Sequence, residues 1–218
     1  DPRRRRLILV TMCVALIGVV ASVSGLNVAQ QAIAEDLGAS QSQLLWVING
    51  YTLVLAALLL PVGAIGDRWG RKPILSLGLV VDSAANRASA FANAPEVLIG
   101  LRIVAGIGAA MIMPVTLAVI TTSFPAHERA RAVGTWAGVA GAGGILGLLA
   151  SAAIIDNATW PWVFAVPLAL AGSALVSTVI VVPHSRAHTE AGFDIPGAVL
   201  SAVAVGGLLV NATSAWLL

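Results

Sequence analysis

Charge is what this sequence has least of. Asp, Glu, Lys and Arg make up 10% of its 218 residues, against about 25% in a soluble domain, too little to coat a water-soluble sphere. There is one cysteine, Cys13, so no disulfide can form within the chain, and the redox compartment cannot be read from it. Metal-ligand clusters are also missing. His184 and His188 stand four apart with no acidic or thiol partner and read as solvated linker residues, so no metal is expected. No phosphate-binding loop follows a strand, and Gly141-Ala-Gly143-Gly144 lies inside an apolar run rather than at a dinucleotide turn. No cofactor, nucleic-acid partner or catalytic constellation is expected, and the chain does not read as an enzyme.

What fills the sequence is apolar: 58% of residues are hydrophobic, with a mean hydropathy of +0.94. Runs of roughly twenty such residues each suffice to cross a ~30 Å hydrocarbon core as a helix. The expected spans are 7–29, 44–66, 74–92, 97–123, 130–155, 161–182 and 195–217. The fold class is therefore an all-α polytopic membrane protein, a six-helix bundle followed by a seventh transmembrane helix, with the lipid bilayer as its first partner. Arg3 to Arg6 resemble the start of a secretory leader, but the apolar run passes Val20 without a small-x-small cleavage site, as a first span does. The start at Asp1 rather than Met reads as a trimmed terminus, and the end at Leu218 as a truncation.

Basic residues orient the spans. Of twelve Lys and Arg, ten lie before span 1, between spans 2 and 3, between 4 and 5, and between 6 and 7. The alternate loops carry only Glu35, Asp36, Glu96 and Asp156. Cytoplasmic loops are the ones enriched in Lys and Arg, so a cytoplasmic N-terminus in a cell (inner) membrane is expected. Trp46, Trp160 and Trp162 at outer ends and Trp69 at an inner one fit an interfacial aromatic belt. The expected organisation is a bundle over 1–183, a linker over 184–194, and a seventh helix over 195–218 capped by Asp194 and Pro196. Asn157-Ala-Thr159 and Asn211-Ala-Thr213 match the glycosylation pattern, which is too short to build on.

The densest polar stretch is Gly63-Ala-Ile-Gly66-Asp67-Arg68-Trp-Gly70-Arg71-Lys72, between spans 2 and 3. Gly63 and Gly66 allow close helix approach, and Gly70 permits a positive φ in the turn. Asp67 lies within reach of Arg68, Arg71 and the next helix start. On charge alone this is a positive-inside loop. The spacing G-x-x-G-D-R-x-G-R-K closely resembles the loop 2–3 signature of the major facilitator superfamily, whose aspartate takes part in a conformational latch.

Leu101-Arg102-Ile-Val-Ala-Gly106-Ile-Gly108 resembles that superfamily's R-x-x-x-G-x-G motif in span 4. In its drug/proton antiporters the matching arginine is associated with proton transfer. The alternative is an arginine near the outer end that snorkels to the headgroups, since a buried one costs about 2.5–3.5 kcal/mol. Gly134, Gly138, Gly141, Gly143, Gly144 and Gly147 in span 5 occupy the place of the antiporter motif and, with Gly106 and Gly108, suit close helix packing. Leu148 stands where that motif has proline, and Ser151-Ala152 where it closes on glycines.

Trp46, Asn49 and Tyr51 resemble the start of helix 2 in the fourteen-helix drug/proton antiporters. Asn27-Val-Ala29 keeps part of their helix 1 signature, with Gln30-Gln31 replacing Leu-Pro and Ser22 standing where an aspartate is usual. Gln30, Gln31, Asn49 and Tyr51 are the candidate substrate-lining residues. Span 3 breaks the resemblance: Asp82, Asn86 and Arg87 interrupt a segment that is apolar in that family. Asp82 is read as a proton relay, an internally neutralised structural group, or the mark of an altered sequence.

The resemblance implies half of a proton-coupled exporter of lipophilic, cationic compounds, working by alternating access. Small substrates, protons and a C-terminal half are the implied partners. A non-transporting fragment or scaffold, and a proton-coupled uptake carrier for another solute, are the competing expectations.

Overall fold

The computed structural model describes residues 2–183. The 184–194 linker with His184 and His188, the seventh span, its Asp194 and Pro196 start, and the sequon at Asn211 lie outside the described residues. Six helices follow one another: α1 (Pro2–Leu37), α2 (Gln41–Trp69), α3 (Arg71–Ser89), α4 (Pro95–Ser123), α5 (Ala126–Asn157) and α6 (Ala165–Val181), the last entered through a 3₁₀ turn at Trp160–Phe164. No strand occurs among the described residues.

Local chemistry sets the joints. Gly38, at φ 63°, ends α1 in a left-handed turn that only glycine adopts cheaply. Ser40 caps α2 in a reciprocal box with Gln43. Gly70, at φ 112°, is the single residue between α2 and α3. Pro95 occupies the first turn of α4, where its missing N–H costs nothing, and Pro125 precedes α5.

At 1.5 Å per residue, the 36-residue α1 is about 54 Å long, well beyond the hydrocarbon core, so it carries Arg3–Arg6 out past one face. That basic end also holds the α2–α3 and α4–α5 turns. Counting the 3₁₀ turn with α6, five of the six helices are long and apolar enough to cross a bilayer. The exception is α3, which carries Arg71, Lys72, Asp82 and Arg87.

Packing reveals an internal repeat. α4 packs on α2 and α3, α1 packs on α5 and α6, α3 meets α6, and α1 meets α4. Exchanging helices 1, 2 and 3 with 4, 5 and 6 maps this set of contacts onto itself. Such a pairing of two three-helix units is the kind of internal structural repeat found in membrane carriers. The buried apolar side chains form two clusters. One spans Met12, Val19, Tyr51, Leu79, Ala105 and Ile112. The other spans Leu26, Ile33, Leu44, Leu98 and Phe164. Ser22, Asn86 and Arg102 lie in sequence between members of the two, so a polar layer divides the core.

One aromatic assignment is corrected. Trp46, Trp69 and Trp162 are exposed, but Trp160 is 5% exposed and donates Nε1–H to Asp36 Oδ2 at 2.7 Å. It closes the acidic end of the core rather than facing lipid.

Candidate functional site

The polar layer is built from four helices. Arg102 on α4 is 1% exposed and therefore does not snorkel to the headgroups. Its Nη1 donates to Ser22 Oγ on α1 at 2.9 Å, and Nη2 to the Ser22 carbonyl at 3.2 Å. Its guanidinium carbon sits 4.2 Å from the centroid of the Tyr51 ring on α2, a cation–π stack in a desolvated place. Ser22 Oγ donates onward to Asn86 Oδ1 on α3 at 3.2 Å, and Asn86 Nδ2 donates to the Asp82 carbonyl at 2.8 Å. Tyr51 donates its hydroxyl to the Val19 carbonyl at 3.3 Å. Asp82 is fully buried within Coulombic reach of Arg102. Among the described residues, neither of its carboxylate oxygens nor Arg102 Nε has a hydrogen-bond partner.

The glycines of α4 explain how such bulky polar groups fit. A Cβ on Gly106 would lie 2.6 Å from the Tyr51 carbonyl oxygen; one on Gly108 would lie 2.7 Å from the Asp82 backbone nitrogen. Gly106 thus seats α2 and Gly108 seats α3, each directly at a residue of the polar layer. Gly78 completes the α3–α4 crossing, its Cβ position 2.9 Å from the Gly108 carbonyl oxygen.

Span 5 behaves unevenly. Gly143 faces Ile17 at 3.3 Å, and Gly147 faces Ala21 Cα at 2.8 Å, both on α1. Gly138, read as a packing glycine, has nothing within 4 Å of its Cβ position among the described residues, because that part of α5 turns this face away from α1. Gly25, against Ser151, is a close approach that the glycine motifs did not single out.

Asp82 and Asn86, four apart, share the buried face of α3, and Arg87 beside it is exposed. At about 100° per residue, position 87 is turned some 140° from position 82. Of the expected substrate-lining set, Tyr51 is wholly buried under Arg102 and is part of the polar layer instead. Gln31 is exposed and bonded to Glu35 at 3.0 Å, Gln30 bonds its own helix at Asn27 O, and Asn49 is half-buried. Ser22 appeared in the sequence only as a missing aspartate, yet it is the hub of the layer.

At the basic end, Asp67 Oδ1 accepts from Arg71 Nη2 at 2.6 Å and Nε at 2.9 Å, while Arg71 Nη1 donates to Thr122 Oγ1 on α4 at 2.9 Å. Lys72 Nζ donates to the Val179 carbonyl on α6 at 2.8 Å. Arg68 is exposed. The glycines let α2 lie on α4: a Cβ on Gly66 would be 2.9 Å from Val115 Cγ2, and one on Gly63 would be 3.3 Å from Pro114 Cβ. One short turn therefore ties the ends of α2, α3, α4 and α6.

The chain belongs to the Major Facilitator Superfamily, whose model matches residues 10–218. It is 34% identical over 213 residues to the methyl viologen resistance protein SmvA of Salmonella typhimurium, covering 97% of this chain and 43% of that protein. It is 38% identical over 170 residues to the multidrug efflux pump LfrA of Mycolicibacterium smegmatis, covering 78% of this chain and 34% of that one. Among solved structures, it matches a peptide transporter POT with a TM-score of 0.74 at 14% identity, covering 95% of this chain and 45% of the other. The proton:xylose symporter XylE matches with a TM-score of 0.72 at 16% identity, covering 98% and 52%. The chain spans less than half the length of the curated relatives it matches.

Proposed function

We propose that these residues are the N-terminal half of a proton-coupled exporter of lipophilic, cationic compounds. The exporter works by alternating access in a bacterial inner membrane, with the N-terminus of this chain in the cytoplasm. The observation that carries the reading is the similarity to SmvA along 97% of the chain, because it runs through every element that builds the polar layer. The excess of Lys and Arg at the basic end supports the orientation.

In this reading Asp82 and Arg102 form the proton-coupling pair. The resemblance leads one to expect the acid on α1 at position 22; here Ser22 fills that place, and the buried acid of the layer is Asp82 on α3, within Coulombic range of Arg102 but not hydrogen-bonded to it. A buried carboxylate beside a fixed guanidinium has two charge states of very different cost. Proton binding there can bias the packing of α1, α3 and α4 against one another. Gly63, Gly66, Asp67, Arg68, Gly70, Arg71 and Lys72 serve as the latch, with Arg71 as its working contact to Thr122.

Efflux of ethidium from cells or vesicles containing the full-length protein tests this, with Asp82→Asn and Asp67→Asn compared with the native protein. Asp82→Asn is expected to abolish the dependence on the proton gradient. The Asp67–Arg71 pair is half-exposed on the aspartate side, so Asp67→Asn removes only about 1 kcal/mol and shifts the balance of inward and outward states about fivefold. Proton-dependent efflux unchanged in both variants would remove the assigned roles, and absence of efflux by the native protein would remove the exporter.

A further inference from the structure

At the basic end, away from the polar layer, a cavity of about 440 Å³ opens between the first turns of α1 and the start of α5, lined by Arg5, Arg6 and Arg131 with Leu9, Phe124 and Ala132 as its apolar wall. The three guanidiniums are not equivalent. Arg5 is held by Glu128 at 3.1 Å. Arg6 and Arg131 are exposed, and among the described residues neither guanidinium has a hydrogen-bond or ion-pair partner. The cavity therefore keeps two uncompensated positive charges after its one carboxylate is used. Thr135, one helical turn beyond Arg131, adds a hydroxyl to the lining.

We propose that this cavity binds the phosphate-bearing headgroup of an anionic phospholipid. Planar guanidiniums match phosphate oxygens in bidentate fashion. A free aqueous anion would need only the arginines, whereas the wall of Leu9, Phe124 and Ala132 is suited to an amphiphile. Leu9 lies three residues deeper than Arg6 along α1, about 4.5 Å, which is the step from headgroup to first acyl carbons. Basic pockets between transmembrane helices at the membrane surface take anionic headgroups by this combination. The site is independent of the exporter reading, since it requires only that α1 and α5 cross the bilayer.

The test uses the purified full-length protein in neutral detergent, titrated with cardiolipin, with phosphatidylcholine or with inorganic phosphate. Bound lipid is read by native mass spectrometry. Cardiolipin is expected to bind saturably, and about thirtyfold more weakly to Arg6→Gln/Arg131→Gln. Arg129→Gln, an exposed arginine outside the cavity, should bind as the native protein does. Arg6→Lys/Arg131→Lys keeps the charge but loses the bidentate fork, and should fall between. Equal cardiolipin affinity in the native protein and the glutamine double variant overturns the site. Phosphatidylcholine binding as tightly as cardiolipin overturns the anionic specificity. Inorganic phosphate displacing cardiolipin at equal phosphate concentration assigns the cavity to a soluble anion instead of a lipid.

Discussion

Arg102→Met is expected to lower the thermal midpoint of the detergent-solubilised protein by about 10 °C, and Asp82→Leu added to it to restore most of that loss. Arg102 is 1% exposed, and its side chain meets two helices, α1 through Ser22 and α2 through Tyr51. Removing one member of a buried charge pair costs about 3–5 kcal/mol, because the other is left uncompensated, while replacing both by apolar groups of similar volume is often close to neutral. For a chain of this size each kcal/mol moves the midpoint by about 2–4 °C. Asp82, with no hydrogen bond to either oxygen among the described residues, has Arg102 as its compensating charge, so the two substitutions should couple strongly. The doubly substituted protein should fold and fail to transport. That separation distinguishes a working pair from a structural one: a structural pair, once replaced, leaves efflux intact. Additive midpoint losses in the double-mutant cycle would show that the two groups do not sense each other, and would sink the coupling assignment.

The six-helix order was legible because five of the helices contain long apolar runs and every joint is marked by charge, proline or glycine. The turn at Gly63–Lys72 was legible because its glycines and charges stand at fixed spacing. The polar layer was only half legible. Arg102 and Asp82 each stood out as ions among apolar residues, but nothing in either span says that α1, α3 and α4 bring them to one depth. That convergence comes from the paired triplets, a property of packing rather than of any segment. Ser22 was missed because serine is common in membrane helices, and its place as the link between Arg102 and Asn86 depends on two neighbours remote in sequence. Arg87 stands outside the layer because helical geometry turns it away from Asp82. Tyr51 was assigned to a substrate surface beside Asn49, from the resemblance of that stretch to the start of helix 2. Its burial follows from Gly106, which draws the α2 backbone against α4 at that residue.

Three glycines on α4 should respond to alanine in opposite ways. Gly100 has nothing within 4 Å of its Cβ position among the described residues, so Gly100→Ala is expected to stabilise by about 0.5–1 kcal/mol through helix propensity alone. Gly106→Ala sets a methyl 2.6 Å from the Tyr51 carbonyl oxygen, and Gly108→Ala sets one 2.7 Å from the Asp82 nitrogen and 3.0 Å from its Cα. These neighbours are backbone, so no rotamer change relieves them, and a helix must move. Overpacking of this kind costs about 1–3 kcal/mol, which exceeds the propensity gain, and valine at either position should prevent accumulation of folded protein in the membrane. The functional consequence is more specific than the loss of stability. Gly108→Ala pushes α3 outward at Asp82, while Gly106→Ala pushes α2 outward at Tyr51; both leave the atoms of the polar layer in place chemically but widen it around Arg102. Folded Gly108→Ala protein should therefore lose proton-dependent efflux while Gly100→Ala keeps it, as thermal midpoints and transport measured side by side would show. Full transport in a well-folded Gly108→Ala variant would mean that proton coupling does not depend on the close seating of α3 on α4 at Asp82.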